Sequence, residues 1–408
     1  MTSLRLKDSV FIFILLVITS KYMIFSILPI GNVINVLACM LSLFLLFRRR
    51  FIVKIKSTTQ KLGCIFFILS LLLFNISKFS NELTLFNAII PTGLIMVFMV
   101  LIPLAFDKFD LIDALKKYSV FNFWLLVLGL TLYFLNLLGF LGASSLVAAA
   151  DHANQDGYVS LLNLAYYPSW INIKVSSFMI HRFSGVFWEP GTLGLYLIFL
   201  ITIEIILFEH EKLGSKIRIF VFILSGVASL SLLFFVSVVV LYFFHLVSQK
   251  KDRKTLLAYS LLICILTFIC VYYYDYLYQA VLYRLDFDTQ RGFVGNTRSG
   301  VVFEFWNQFS SGGLLSQLIG FGPYSKFEGD STSIMIKIYQ RGILGFIFLF
   351  LSFVCFSLKS SKLFFMPAWI LALIILSQFE GAIFLVMMML FSILCKYKMA
   401  DHNQTSLS

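Results

Sequence analysis

Apolar runs recur from one end of the chain to the other, each closed by a short polar linker. The first is "VFIFILLVITS" near the N-terminus, and another is "IFVFILSGVASLSLLFFVSVVVLYFFHLV" from Ile219 to Val247. Helices of about 20 apolar residues are what a hydrocarbon layer of ~30 Å demands. The pattern therefore predicts an all-α integral membrane protein, a single polytopic domain over residues 1–408. Two runs are too long for one crossing. The Ile219–Val247 run is expected to break near "SGVASLS", and "LFFMPAWILALIILSQFEGAIFLVMMMLFSILC" is expected to turn outside at "SQFEG".

The linkers set the expected orientation. "FRRRFIVKIKSTTQK", "DKFDLIDALKK", "EHEKLGSKIR", "SQKKDRK" and "KSSK" hold most of the 32 Lys and Arg residues. A Lys/Arg excess in short loops marks the cytoplasmic side. The expected topology is about twelve transmembrane helices with both termini cytoplasmic. Two large periplasmic loops remain, at about 142–190 and 275–340. Long loops of this kind are usually functional.

Composition agrees with this solvent assignment, with 60% hydrophobic and 13% charged residues and a mean hydropathy of +0.93. The net charge of +12 is accounted for by the inner linkers, so no nucleic-acid partner is needed to explain it. Cys39, Cys64, Cys264, Cys270, Cys355 and Cys395 lie in or beside apolar runs without C-x-x-C spacing. They read as small buried hydrophobes, not as a disulfide or metal framework. The N-terminus has a signal-like basic start but no small-residue cleavage site, so it is expected to remain as the first span.

Candidate chemistry lies in the two outer loops. "HRFSGVFWEPGTLGLYL", His181 to Leu197, places Arg182 and Glu189 around "FSGVFW", and Pro190-Gly191 then opens a helix. Proline is favoured in a first helical turn, where its missing N–H is harmless. As a plain cap, Glu189 would contribute only about 0.3–1 kcal/mol, and Arg182 could simply snorkel. The second loop adds Arg284, Arg291, Arg298 and Arg341. Outer arginines run against the inside bias unless something anionic binds there. The seven-residue spacing of the first three carries no weight, because Gly292 and Gly295 argue against a continuous helix.

"HRFSGVFWEPGTLGLYL", followed by "NTRSGVVFEFW", "GFGPYS" and "DSTSIMIKIYQRGILGFIFLF", resembles the bacterial O-antigen and capsular polysaccharide repeat-unit polymerases (Wzy-type), which share a superfamily with the O-antigen ligases. Motif-level similarity covers about Arg182–Leu197 and Arg298–Gly345. The resemblance implies a multi-pass enzyme of the bacterial inner (cytoplasmic) membrane whose active site opens to the periplasm. The implied substrate is an oligosaccharide carried on undecaprenyl pyrophosphate. A chain-length regulator protein is a further partner that the resemblance admits.

The residues suit that chemistry. No D-x-D-type metal motif is visible in the loops, so metal-independent transfer without a cofactor is expected, and fixed cations must meet the leaving pyrophosphate. Arginine does this with a planar bidentate fork. Arg182 and Arg298 are the first candidates, because the resemblance covers both. Arg284, Arg291 and Arg341 follow as substrate-binding residues, with Tyr324 of "GFGPYS" and His181. A carboxylate can take the proton of the attacking sugar hydroxyl. Glu189 is the nominee, with Asp286, Asp288 and Asp330 as alternatives. In the ligase branch a histidine is expected near the position of Ser331, whereas the five His here are His152, His181, His210, His245 and His402. That departure favours the polymerase over the ligase. A flippase or transporter of lipid-linked sugars is the alternative of a different class. It would carry internal repeats and polar residues near the midplane, and neither is evident. Glu204, Lys21 and Pro103 receive structural readings: Glu204 and Lys21 are expected to snorkel, and Pro103 to mark a kink or helix end.

Overall fold

The computed structural model describes residues 8–20, 22–27, 31–50, 58–76, 98, 101–141, 145–147, 157–169, 172–175, 178–187, 189–208, 212–231, 233–239, 241, 287–288, 292–293, 299–322, 325, 327 and 334–357. The first half of the chain runs α1 (Asp8–Thr19), α2 (Ile24–Ile27), α3 (Gly31–Arg48), α4 (Thr58–Ile76), α5 (Lys108–Leu137), β1 (Ser145–Val147), β2 (Tyr158–Leu161), β3 (Ala165–Pro168), β4 (Asn172–Val175) and β5 (Phe178–His181). It continues with α6 (Pro190–Leu207), α7 (Lys212–Ser229), β6 (Phe287–Asp288), β7 (Gly292–Phe293), α8 (Ser299–Ser311), α9 (Leu314–Ile319) and α10 (Ile334–Ser357).

Among the described residues, Phe109–Leu137 in α5 and Met335–Cys355 in α10 are long and apolar enough to cross a membrane. Shorter apolar helices occupy Asp8–Thr19, Val36–Arg48, Lys61–Leu73 and Pro190–Ile205. Neighbouring helices run in senses that their contacts define. Asp8 meets Arg48 (2.9 Å) and Phe11 meets Phe44, so α1 and α3 are antiparallel. Ser9 donates to Asp113 (2.6 Å) and Tyr22 to Asn122 (3.0 Å), so the chain through α1 runs parallel to α5. Phe66 stacks on Phe348 while Ser70 donates to the Gly345 carbonyl (2.7 Å), which makes α4 and α10 antiparallel. At one end of this packing, Arg49 bridges Asp8 (2.9 Å), Asp110 (2.9 Å) and Asp107 (3.6 Å). The first basic linker thus meets acids from two helices.

The first expected span is shorter than its apolar pattern suggests. α1 has 12 residues, about 18 Å at 1.5 Å per residue, and then the backbone leaves the helix. Met23 N–H donates to the Val186 carbonyl (2.7 Å), and Tyr22 bridges Phe187. Tyr22 donates to Asn122, and the Ser20 and Tyr118 hydroxyls bond at 2.7 Å, all four side chains buried. Irregular backbone beside apolar helices is tolerated where protein partners satisfy it, and here they do.

The stretch expected to form the first large loop carries five short strands among its described residues, and the fold is accordingly mostly helical but not all-α. β1, β2 and β3 form an antiparallel sheet, with Val147 opposite Tyr158 and Tyr158 opposite Pro168. β4 and β5 form a hairpin with Asn172 opposite His181. Leu162 and Asn163 turn between β2 and β3 with positive φ (52° and 57°). Both hairpins lie along α5 and not beyond it. Gly129 leaves room for the Leu164 carbonyl, Tyr133 donates to the His181 carbonyl (2.5 Å) and Asn136 to the Tyr167 hydroxyl (3.2 Å). All three α5 residues fall inside the Phe109–Leu137 stretch.

Two helix interruptions complete the frame. α7 stops at Ser229 and Leu230 turns with φ 47°, at the "SGVASLS" break that the length of the run predicts. Phe234, just past the break, lies over Gly226, where an added Cβ would come within 2.0 Å of its ring. The second interruption is Gly342 in α10 (φ 69°, ψ 175°). It crosses Gly320 backbone to backbone, and Phe321 and Gly322 donate to the Tyr339 (2.9 Å) and Gln340 (3.2 Å) carbonyls that the break leaves exposed. "GFG" therefore caps the first half of α10, with Phe321 stacked on Tyr339 at 4.2 Å. A methyl on Gly342 would meet the Leu318 oxygen at 2.3 Å and the Gly320 nitrogen at 2.4 Å. Gly342→Ala is expected to destabilise the protein by more than ~1 kcal/mol, because the clash adds to the positive-φ penalty. Thermal unfolding of the purified protein checks this, and an unchanged midpoint would contradict the crossing.

Candidate functional site

The start of α6 is built as its sequence suggests. Pro190 occupies the first turn, and Glu189 precedes it in an extended conformation (φ −133°, ψ 150°). The Glu189 carbonyl accepts from Leu193 N–H (3.0 Å). Its carboxylate makes no capping hydrogen bond and is exposed. The acid therefore stands at the positive end of a helix without being used to hold that helix. Tyr158 on β2 is buried, and burial, with the Glu189 charge adding to it, holds its hydroxyl above the ordinary tyrosine range. The phenol stays protonated in the field of the carboxylate.

Arg182 has structural work that its sequence position does not reveal. Its Nε donates to the Ser229 carbonyl (3.1 Å), and Phe183 N–H donates to the Ala228 carbonyl (3.0 Å). These are last-turn carbonyls of α7, which have no partner within the helix, and a cation there also complements the helix dipole. The start of α6 lies beside this end of α7, because Gly194 faces Ser231 with only 3.0 Å to an ideal Cβ. Arg182 and Glu189 thus flank one helix junction. Among the described residues no ion pair joins them.

His181 sits at the end of β5. Its ring stacks on Tyr167 (4.6 Å between centroids), and the strand is held to α5 by the Tyr133 bond. Burial pushes the imidazole down from its usual value, so it is neutral at pH 7. Tyr133, Asn136, Tyr167 and His181 form one aromatic and polar cluster. The polar tips of Tyr133 and Asn136, three residues apart inside an apolar run, are a weak sign of this cluster in the sequence. Arg341 lies in α10 immediately before Gly342 and is 2% exposed; Lys337, one turn earlier, is 8% exposed.

Arg284, Arg291, Arg298 and Tyr324 lie outside the described residues, as do Asp286, Asp330 and Lys21. Asp288 belongs to strand β6. Glu204 requires a correction. It does not snorkel: it is fully buried, bonded by Arg218 Nε (2.7 Å) and Nη2 (2.9 Å) and by the Ser119 hydroxyl (2.5 Å). A bidentate partner from the next helix holds it inside, where a lone carboxylate would have to reach water.

Comparison with protein families, with curated proteins and with solved structures finds no match to this chain.

Proposed function

We propose that this protein polymerises oligosaccharide repeat units linked to undecaprenyl pyrophosphate, at the periplasmic face of the bacterial inner membrane. In this reading the chain crosses the membrane about twelve times with both termini cytoplasmic, as the basic linkers suggest. The observation that carries the proposal is the exposed Glu189 carboxylate, uncommitted to capping, at the α6 start beside the Arg182-capped end of α7. The acceptor hydroxyl attacks the anomeric carbon of the donor sugar and gives its proton to Glu189. The bond from that carbon to the pyrophosphate oxygen breaks, and the lipid pyrophosphate leaves with the electron pair, its charge met by arginine.

The test is the cell-surface glycolipid profile of a strain lacking the gene. Loss of a polymerase leaves single repeats attached to the acceptor lipid. Loss of a ligase or of a flippase leaves none, and an unaltered long-chain profile would refute the proposal.

A further inference from the structure

We infer that α8 and α9 form a hairpin seated in the outer boundary layer of the bilayer, with Trp306, Leu314 and Leu315 against lipid acyl chains. The inference rests on the proposed crossing of α10 with an outer-facing start, and it moves part of a stretch expected to lie in a periplasmic loop into lipid. No Asp, Glu, Lys or Arg occurs from Phe305 to Ser325, unlike a solvated loop. α8 turns Phe305 and Phe309 inward, where with Phe327, Ile336 and Tyr339 they build a small core of their own. Trp306 (64%), Leu314 (74%) and Leu315 (69%) are left exposed. α9 contributes Leu314, Leu315, Leu318 and Ile319, yet none of its residues is buried. An apolar helix with no covered face marks an interaction surface.

Lipid is the occupant because this surface continues a membrane span. Gly320, at the end of α9, crosses Gly342 of α10, and Gly342 lies about 10 Å from the Met335 start of the apolar stretch at 1.5 Å per residue. Ile343, Leu344, Ile347 and Phe350 of that stretch are exposed as well. A helix lying in the boundary layer sinks its apolar face by ~5–10 Å, and Trp is favoured at that level. The turn between the two helices is equipped for low polarity. The Ser310 and Ser311 hydroxyls donate to the Asn307 (3.2 Å) and Gln308 (3.0 Å) carbonyls, and the Gln317 amide donates to the Ser310 (3.1 Å) and Gly312 (2.9 Å) carbonyls. Water would serve these carbonyls without such help, whereas lipid offers no donor.

The test is tryptophan emission from the full-length protein in phosphatidylcholine vesicles, with and without bromine on the acyl chains, since bromine quenches an indole that touches it. The difference between the natural protein and Trp306→Phe isolates the emission of Trp306. Trp124→Phe does the same for Trp124, 58% exposed in α5 within the Phe109–Leu137 stretch. Both differences are expected to shrink in brominated vesicles, and Leu315→Trp in the Trp306→Phe background is expected to restore a quenched component. Trp306 emission that brominated chains leave intact overturns the inference, whether water or another segment of this chain covers that face, and aqueous iodide quenches it only in the first case. Quenching at Trp124 with none at Trp306 sinks the lipid seat alone. No quenching at either position sinks the membrane reading with it. The glycolipid profile of the deletion strain bears on the polymerase reading and not on this one.

Discussion

Glu204→Gln is expected to destabilise the protein by about 3–5 kcal/mol, the cost of leaving one member of a buried ion pair without its partner. Glu204 is fully buried and accepts two bonds from Arg218 and one from Ser119. The change would therefore remove the charge that the buried Arg218 guanidinium faces between α5, α6 and α7. Arg218→Met is expected to have a comparable effect, because it strands the carboxylate instead. The double variant Glu204→Leu with Arg218→Met removes both charges and should recover most of the loss, since apolar replacement of a whole buried pair is often neutral. Chemical or thermal unfolding of the purified protein measures all three. Single variants within about 1 kcal/mol of the natural protein would show that the pair is solvated and that the burial argument is wrong.

Glu189→Gln is expected to abolish chain growth while leaving protein level and stability unchanged. The side chain is exposed and makes no cap bond, so its removal costs at most about 1 kcal/mol through the helix dipole. That is too little to unfold a bundle with a contiguous apolar core. The expected product is glycolipid bearing a single repeat. Normal long-chain polymer from Glu189→Gln would remove it as the base and turn attention to Asp286, Asp288 and Asp330. Arg182→Lys provides the contrast. It keeps the charge but loses the Nε bond to the Ser229 carbonyl, so any defect includes a loosened α7 end. Because no ion pair joins Arg182 to Glu189 among the described residues, a Glu189 defect that persists in the Arg182→Lys background belongs to Glu189 itself.

Much of the local architecture was legible because its causes are local. Proline in a first turn and a run too long for one crossing act within a few residues of themselves, and both the α6 start and the break after Ser229 appear where those signals lie. Apolar runs specify the kind of solvent a helix prefers, and α5 and α10 follow from them. The shortness of α1 was not legible, because "VITSKYMIF" is apolar enough to continue a helix. What ends it is a backbone bond from Met23 to Val186 and a buried bond from Tyr22 to Asn122.

By itself, then, the sequence indicated helices apolar enough to cross a membrane, the expected side of the basic linkers, and the placing of Glu189 at a helix start. Only the tertiary structure decided how polar groups are employed. Glu204 looked like a residue that must reach water, until Arg218, fourteen positions on, closed on it from the next helix. Arg182, expected from the sequence to face an anion, also closes the end of α7 through its Nε. The glycines of "GFGPYS" and "QRGILG" looked like loop breakers, and they prove to be two backbones in contact. Hydropathy depends on each residue and its near neighbours, whereas the fate of a charge or a glycine is set by the group that arrives from elsewhere in the chain. The energy of a buried pair or a backbone crossing exists only once both partners are brought together.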